Sequence, residues 1–292
     1  MTTEAPLIGE VEAGGDSNFF GPETYSQIFA TFQTITLLTN PLSHLASSNL
    51  AKVICKRPCF TCCRAICPYK DYYYTLLSTN EGWQYLFNNV LSIGCSLCPA
   101  GPYSRWESCE SRIVSSVQDI EQNGGTAFTS MIKDKNCVIG NLCPKYFYVN
   151  GCQEDKTHGI VKIRGVCENC CKCDNCCKDC CKDCCKCDCK CKCDCDCNQY
   201  YYACDILNPG KELQYTIYRY ECCCDCCFEG KCCSIKYAIK DITGNTTGKI
   251  EGYPAYCDSS YVYKIKLPPE ASPEIKLTII NSIFVIDALG LY

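Results

Sequence analysis

Thiols carry most of the chemistry written in this chain. Between Cys167 and Cys197, sixteen of thirty-one residues are cysteine, and all the others are Lys, Asp, Glu or Asn. Such a stretch holds no apolar side chain and cannot collapse around a hydrophobic core. Whatever orders it must act on sulfur. From Cys176 to Cys185 the unit is Cys-Cys-Lys-Asp, and from Cys185 to Cys197 it is Cys-x-Cys. In an extended backbone the second part puts every sulfur on one face and every charge on the other. Thiolates at this density are ligands for zinc or another thiophilic ion. The candidate ligands are Cys167, Cys170, Cys171, Cys173, Cys176, Cys177, Cys180, Cys181, Cys184, Cys185, Cys187, Cys189, Cys191, Cys193, Cys195 and Cys197. Sixteen thiolates suffice for about four zinc ions at four sulfurs each. The interleaved lysines would offset thiolate charge, and bound metal would fold what has no core.

Two other fates compete for the sulfurs. A second group, Cys222, Cys223, Cys224, Cys226 and Cys227, is compact and suits acylation, where several chains give firm membrane anchoring. Disulfides, or a solvated tract with no specific ligand, form the third. The chain has 36 cysteines in 292 residues, far too long for a small disulfide scaffold. Its first twenty residues are acidic, with neither the basic start nor the apolar centre of a signal peptide. The expected compartment is therefore cytoplasmic, where thiols stay reduced. Disulfide-bonded cysteines would instead place the protein in an extracellular or lumenal space. The sequon Asn245-Thr246-Thr247 points weakly that way.

Enzyme chemistry finds no purchase. His44 and His158 are the only histidines and neither sits in a motif. There is no nucleotide-binding glycine loop and no nucleophile–base arrangement. A net charge of −4 argues against a nucleic-acid partner.

The elements that must carry these thiols read as β. Residues 1–20 should form a flexible tail, and 25–50 should give short strands, or a strand and turn, broken at Pro41. Residues 55–67 hold a first cysteine cluster. Strands are expected at Asp71–Leu77, Trp83–Phe87, Ile113–Val117, Ala127–Ile132, Lys145–Val149, Gly159–Arg164, Gln214–Tyr220, Ser234–Lys240 and Tyr261–Leu267. Many are tyrosine-rich, a ring that packs while its hydroxyl stays wet. So many short strands in series indicate a barrel or sandwich. The C-terminal run 273–291 differs: it is apolar nearly all round, with Ser272 placed as N-cap and Pro273 at the first helical position. Such a helix either crosses a membrane or fills a core.

The tail PPEASPEIKLTIINSIFVIDALGLY, with the box Phe284-Val285-Ile286-Asp287, resembles the end of the phospholipid scramblases. Upstream, Gly124-Gly125, the run from Cys143 to Val149, and Ile160-Val161-Lys162-Ile163-Arg164-Gly165-Val166-Cys167 match that family's order of strands and cysteine cluster. Cys59-Phe60-Thr61-Cys62-Cys63 stands where its N-terminal cysteine pair stands. The resemblance spans most of residues 25–292. It implies the fold shared with Tubby-type domains: a closed antiparallel barrel of about twelve strands enclosing the C-terminal helix. Residues 21–292 would form this domain, with 167–233 as an irregular Cys-rich insertion and 273–291 as the central helix. Lys276, Asn281 and Asp287 are costly in lipid, which favours the enclosed helix over a span.

The resemblance further implies a phospholipid-binding protein at the cytosolic face of a membrane, carrying palmitoylated cysteines. The alternative is a structural scaffold with protein partners in a larger assembly and no lipid-scrambling activity. The family's calcium loop falls on Asp258, Ser259 and Ser260, followed by Lys264. Calcium takes six to eight oxygens, several from carboxylates, so this loop reads as degenerate and calcium is not expected. The cysteine tract itself resembles metallothionein.

Overall fold

The computed structural model describes residues 41–56, 69–79, 82–93, 106–113, 125–134, 144–152, 156–164, 198–222, 235–254 and 261–289. Twelve strands follow a short helix, α1 (Pro41–Ser47). They are β1 (Leu50–Lys56), β2 (Tyr69–Thr79), β3 (Gly82–Ile93), β4 (Trp106–Ile113), β5 (Thr126–Lys133) and β6 (Lys145–Gly151). Then come β7 (Thr157–Ile163), β8 (Asn198–Leu207), β9 (Leu213–Cys222), β10 (Ile235–Asp241), β11 (Thr246–Pro254) and β12 (Tyr261–Lys266), and a final helix, α2 (Pro273–Leu289). Each strand pairs antiparallel with its sequence neighbour, and β1 pairs with β12 from Leu50↔Lys266 to Cys55↔Tyr261. The sheet is therefore a closed twelve-stranded barrel with no free edge.

Alternation explains the strands. Along β6, Lys145, Phe147 and Val149 are buried, while Tyr146, Tyr148 and Asn150 lie half-exposed between them. Inward residues from all round the barrel, among them Val53, Tyr73, Phe87, Met131, Phe147, Val161, Ile206, Ile217, Ile239 and Ile265, form one core. A polar seam runs through its wall: Thr75 donates to Asn89 at 3.2 Å, and the Asn89 amide donates to Ser111.

The filling of that core is α2. Every residue from Ile275 to Asp287 is buried, whichever side of the helix it occupies. Only enclosure does this to a single helix. Ser272 caps it as its side chain accepts from the Ile275 N–H, and its carbonyl accepts from the Lys276 N–H at 2.9 Å. The buried polar residues bond back into the helix: Thr278 to the Glu274 carbonyl at 2.8 Å, Asn281 to Leu277 at 2.9 Å and Ser282 to Ile279 at 2.6 Å. Gly159 on β7 lets α2 lie close, because a Cβ there would run into the Thr278 side chain. No helix among the described residues is long and apolar enough to cross a membrane.

The closed barrel with its C-terminal helix is the architecture expected from sequence, with differences of detail. Pro41 begins a helix instead of breaking a strand, as proline does at a first helical position. The fourth strand is Trp106–Ile113 and ends where the expected Ile113–Val117 would start. Its outward residues are Glu, Ser and Arg, and only Trp106, Cys109 and Ser111 are buried, so its alternation is weakly apolar. Residues 198–222 are barrel strands β8 and β9, which correct the bounds 167–233 given to the insertion. The helix is described to Leu289, short of the expected 291.

Candidate functional site

Two ionisable side chains pin the ends of α2 inside the barrel. Near its C-terminus, Asp287 accepts from Tyr263 at 2.6 Å, from Tyr73 at 2.9 Å and from the Cys55 thiol at 3.5 Å. The Tyr73 ring also packs on Phe284, 4.7 Å between centroids. Phe284 and Asp287, from the box that the sequence singles out, thus tie the helix to β1, β2 and β12; Val285 and Ile286 fill the core beside them. At the other end the Lys276 ammonium donates to Asn49 Oδ1 at 3.0 Å, to the Ser48 carbonyl at 3.2 Å and to the Ala46 carbonyl at 3.5 Å. Burial pulls its pKa down. Both groups are walled in by packed side chains and serve the fold. Burial likewise pushes the Cys109 and Cys204 thiols well up, which makes them inert.

The outer surface of β6 to β10 has a different character. A lateral row of paired residues crosses it: Tyr146 on β6, Lys162 on β7, Asp205 on β8, Thr216 on β9 and Lys240 on β10. Arg164, two residues past Lys162 and so on the same face, clasps Asp205 with both arms, Nε at 2.8 Å and Nη2 at 2.7 Å. Thr216 completes that carboxylate with a hydroxyl at 3.0 Å. Burial works against the Arg164 charge, but the Asp205 hydrogen bonds and charge outweigh it and hold the guanidinium above its ordinary pKa. The guanidinium also lies 4.3 Å over the Tyr202 ring. The Tyr202 hydroxyl accepts from the Arg164 N–H and donates to the Lys162 carbonyl. Its pKa is pushed far up by burial and by Asp205. Lys240 stands 5.5 Å over Tyr218, which packs edge-on against Tyr202.

Beside this row is a cleft of about 320 Å³. It is lined by Tyr146, Lys162, Arg164, Asp205, Leu207, Lys211 and Leu213. Lys162 and Lys211 approach the same Tyr146 ring, at 5.9 and 5.8 Å. Lys211 gets there by an uncommon route. It belongs to the β8–β9 turn, closed by Asn208 and Glu212 through backbone and side-chain bonds of 2.7 to 3.0 Å. Its φ is 65°, the only positive value at a non-glycine among the described residues. Glycine normally takes that turn position, and a side chain there costs about 1–2 kcal/mol.

The residues proposed from sequence fall mostly elsewhere. Cys167 to Cys197, Cys223, Cys224, Cys226, Cys227 and Asp258–Ser260 lie outside the described residues, and Cys222 ends β9. Among the described residues no group of three or more His, Cys, Asp or Glu could hold a metal. The outer wall escaped notice in the sequence, although Lys162-Ile163-Arg164 in an alternating strand places two cations on one face. In the comparisons with known proteins, no family model, no curated protein and no solved structure matches this chain.

Proposed function

We propose that this chain is a scramblase-like barrel that associates with phospholipid at the cytosolic face of a membrane, and that it does so through its outer wall. The observation that carries the reading is the packed interior. With α2 filling the barrel, a ligand is left the outside, and the β6–β10 wall places Lys162, Arg164, Lys211 and Lys240 there beside Tyr146, Tyr202 and Tyr218, with Asp205 bonded to Arg164. Anionic lipid attracts such a surface by about 1 kcal/mol per Lys or Arg, and tyrosine suits the headgroup level. The resemblance of the tail box to the scramblases, and the enclosed helix in which that box sits, support the same class.

The test is co-sedimentation with phosphatidylserine-bearing vesicles against pure phosphatidylcholine, followed by lipid transport in proteoliposomes with and without calcium. Binding should favour the anionic vesicles and weaken above about 0.15 M salt. Failure to bind any vesicle would leave the scaffold reading, which the packed, edgeless barrel also supports. In either case the tract Cys167–Cys197 is proposed to hold zinc or a related ion, and Cys222–Cys227 to carry acyl chains. Elemental analysis and intact mass, before and after chelation, separate metal, acyl chains and disulfides.

A further inference from the structure

We propose that β7 and β8 part along their shared edge, and that the slot opened between them and α2 takes the zwitterionic headgroup of a phospholipid. The proposal rests on the lipid reading above and adds where the barrel would hold a lipid. Backbone pairing marks the seam. Among the described residues, β7 and β8 are joined only through Ile160↔Leu207, Val161↔Ile206 and Lys162↔Asp205, and every other neighbouring pair of strands has a longer ladder. Beyond the third pair, side chains take over. The Tyr202 hydroxyl accepts from the Arg164 N–H at 3.1 Å and donates to the Lys162 carbonyl at 2.9 Å, and the Arg164–Asp205 clasp crosses the same line. Each strand keeps its other neighbour by a longer ladder and a short connection, β7 to β6 through 152–156 and β8 to β9 through 208–212. Across the seam the chain runs from Ile163 to Asn198, so no tight turn ties the two strands together. Opening here breaks fewer backbone hydrogen bonds than opening any other described ladder, which makes it the cheapest local opening of the wall.

Behind the seam the filling is polar. Thr278 and Ser282 stand one turn apart on one face of α2. A Cβ at Gly159 of β7 would run into the Thr278 hydroxyl, and Ser282 is hydrogen-bonded to the Cys204 thiol of β8. With Asn281, whose buried Oδ1 has no hydrogen-bond partner, they are the only polar side chains of α2 between Lys276 and Asp287. Valine and alanine would fill the same space, and an acceptor left without a donor costs stability, so this stripe suits a polar guest better than it suits the closed core. The cleft of about 320 Å³ lies over the same line, because Lys162, Asp205 and Leu207 both line it and make the seam pairs. Parting would join the cleft to the stripe. Arg164 and Asp205, matched to each other while the seam is closed, would then meet a phosphate and an ammonium, the two charges of a zwitterionic headgroup.

Hydrogen–deuterium exchange of the full chain tests this. Amides of 160–162 and 205–207 should exchange about tenfold faster than those of 50–55, which hold the β1–β12 seam. Arg164→Gln releases the clasp and should speed the first two sets about tenfold further while leaving 50–55 unchanged. Dihexanoyl phosphatidylcholine below its micellar concentration binds the opened form, and so should speed the same amides about threefold. Thr278→Val keeps the shape of the side chain and loses its hydroxyl, and should abolish that response. Ser282→Ala gives a second reading on the same stripe if Thr278→Val lowers the melting temperature. Seam amides no faster than those of β1 would overturn the inference. So would a fast seam that ignores the lipid, or a lipid response that survives both hydroxyl variants. Vesicle binding alongside any of these results would leave the lipid reading standing. A response to the short-chain lipid without vesicle binding would uphold the slot and remove the membrane from the reading.

Discussion

Strands β6 to β9 present two surfaces back to back. Toward α2 they carry Phe147, Val149, Val161, Ile163, Cys204, Ile206 and Ile217, none more than 5% exposed. Away from it they carry Tyr146, Lys162, Arg164, Asp205 and Thr216, bonded to one another across the strands. One face is dry and fixed by shape; the other is charged and fixed by pairing. The two share a backbone and face opposite ways, because successive residues of a strand point to opposite sides of the sheet. Stability and ligand chemistry can therefore vary separately here, which an active site sunk into a core does not permit.

The sharpest way to break this contrast is from inside. Phe284→Ala removes a fully buried ring from α2 and should cost about 3–5 kcal/mol in denaturant unfolding, while the properties of the outer wall survive in whatever fraction stays folded. Loss of vesicle binding without loss of stability would show that the faces are coupled. Asp287→Ala takes the acceptor from two buried tyrosine hydroxyls and should cost about 3 kcal/mol. Asp287→Asn, which keeps an acceptor oxygen, should cost less.

Alkali sharpens the contrast on a different stretch of wall. Tyr74 points away from the interior on β2, yet it is 7% exposed, and burial with the neighbouring Tyr72 pushes its pKa up to about 12. Below about pH 10 the phenol is protonated in both states and its contribution is complete. Between about pH 10 and pH 12 the unfolded chain ionises while the fold keeps the proton. Stability should then fall by about 2–3 kcal/mol from this group. Tyr74→Phe should flatten that slope in unfolding measured across the range. The smallest effect has the opposite sign: Lys211→Gly should stabilise the protein by about 0.5–1 kcal/mol, read as a raised melting temperature. A loss of stability would mean that the Lys211–Tyr146 contact outweighs the backbone strain.

Much of the barrel was legible because short β-rich runs between turns, several of them with tyrosine, survive in β2, β3, β5, β6, β7, β9, β10 and β12. The cap at Ser272 and the apolar run after it were legible for the same local reason. β11 was not, because Gly248 and Gly252 make TTGKIEGYP look like a loop. Those glycines answer to β12, where a Cβ at Gly252 would sit 2.9 Å from the Tyr263 ring. β8 was hidden because its tyrosine triplet interrupts alternation directly after the cysteine tract. The wall was only half visible. Lys162 and Arg164 could be placed on one face from sequence, but Asp205 and Lys211 reach them through pairing across forty or more positions. Turn chemistry alone would have put glycine, not lysine, at position 211.

The seam between β1 and β12 also governs when this protein can become itself. Leu50 meets Lys266, and α2 lies beyond both. While the chain is being synthesised, an open sheet must wait with two exposed edges and a hollow face until its plug arrives. At about 5–20 residues per second that wait lasts about 10–50 s, long enough for strangers to pair with the edges. Pairings this distant in sequence also close slowly. β1 finds its partner only once β12 has been made, and the barrel finds its filling only once α2 has, so truncation before α2 should be felt at Leu50, and the nascent chain is the form of this protein most in need of a chaperone.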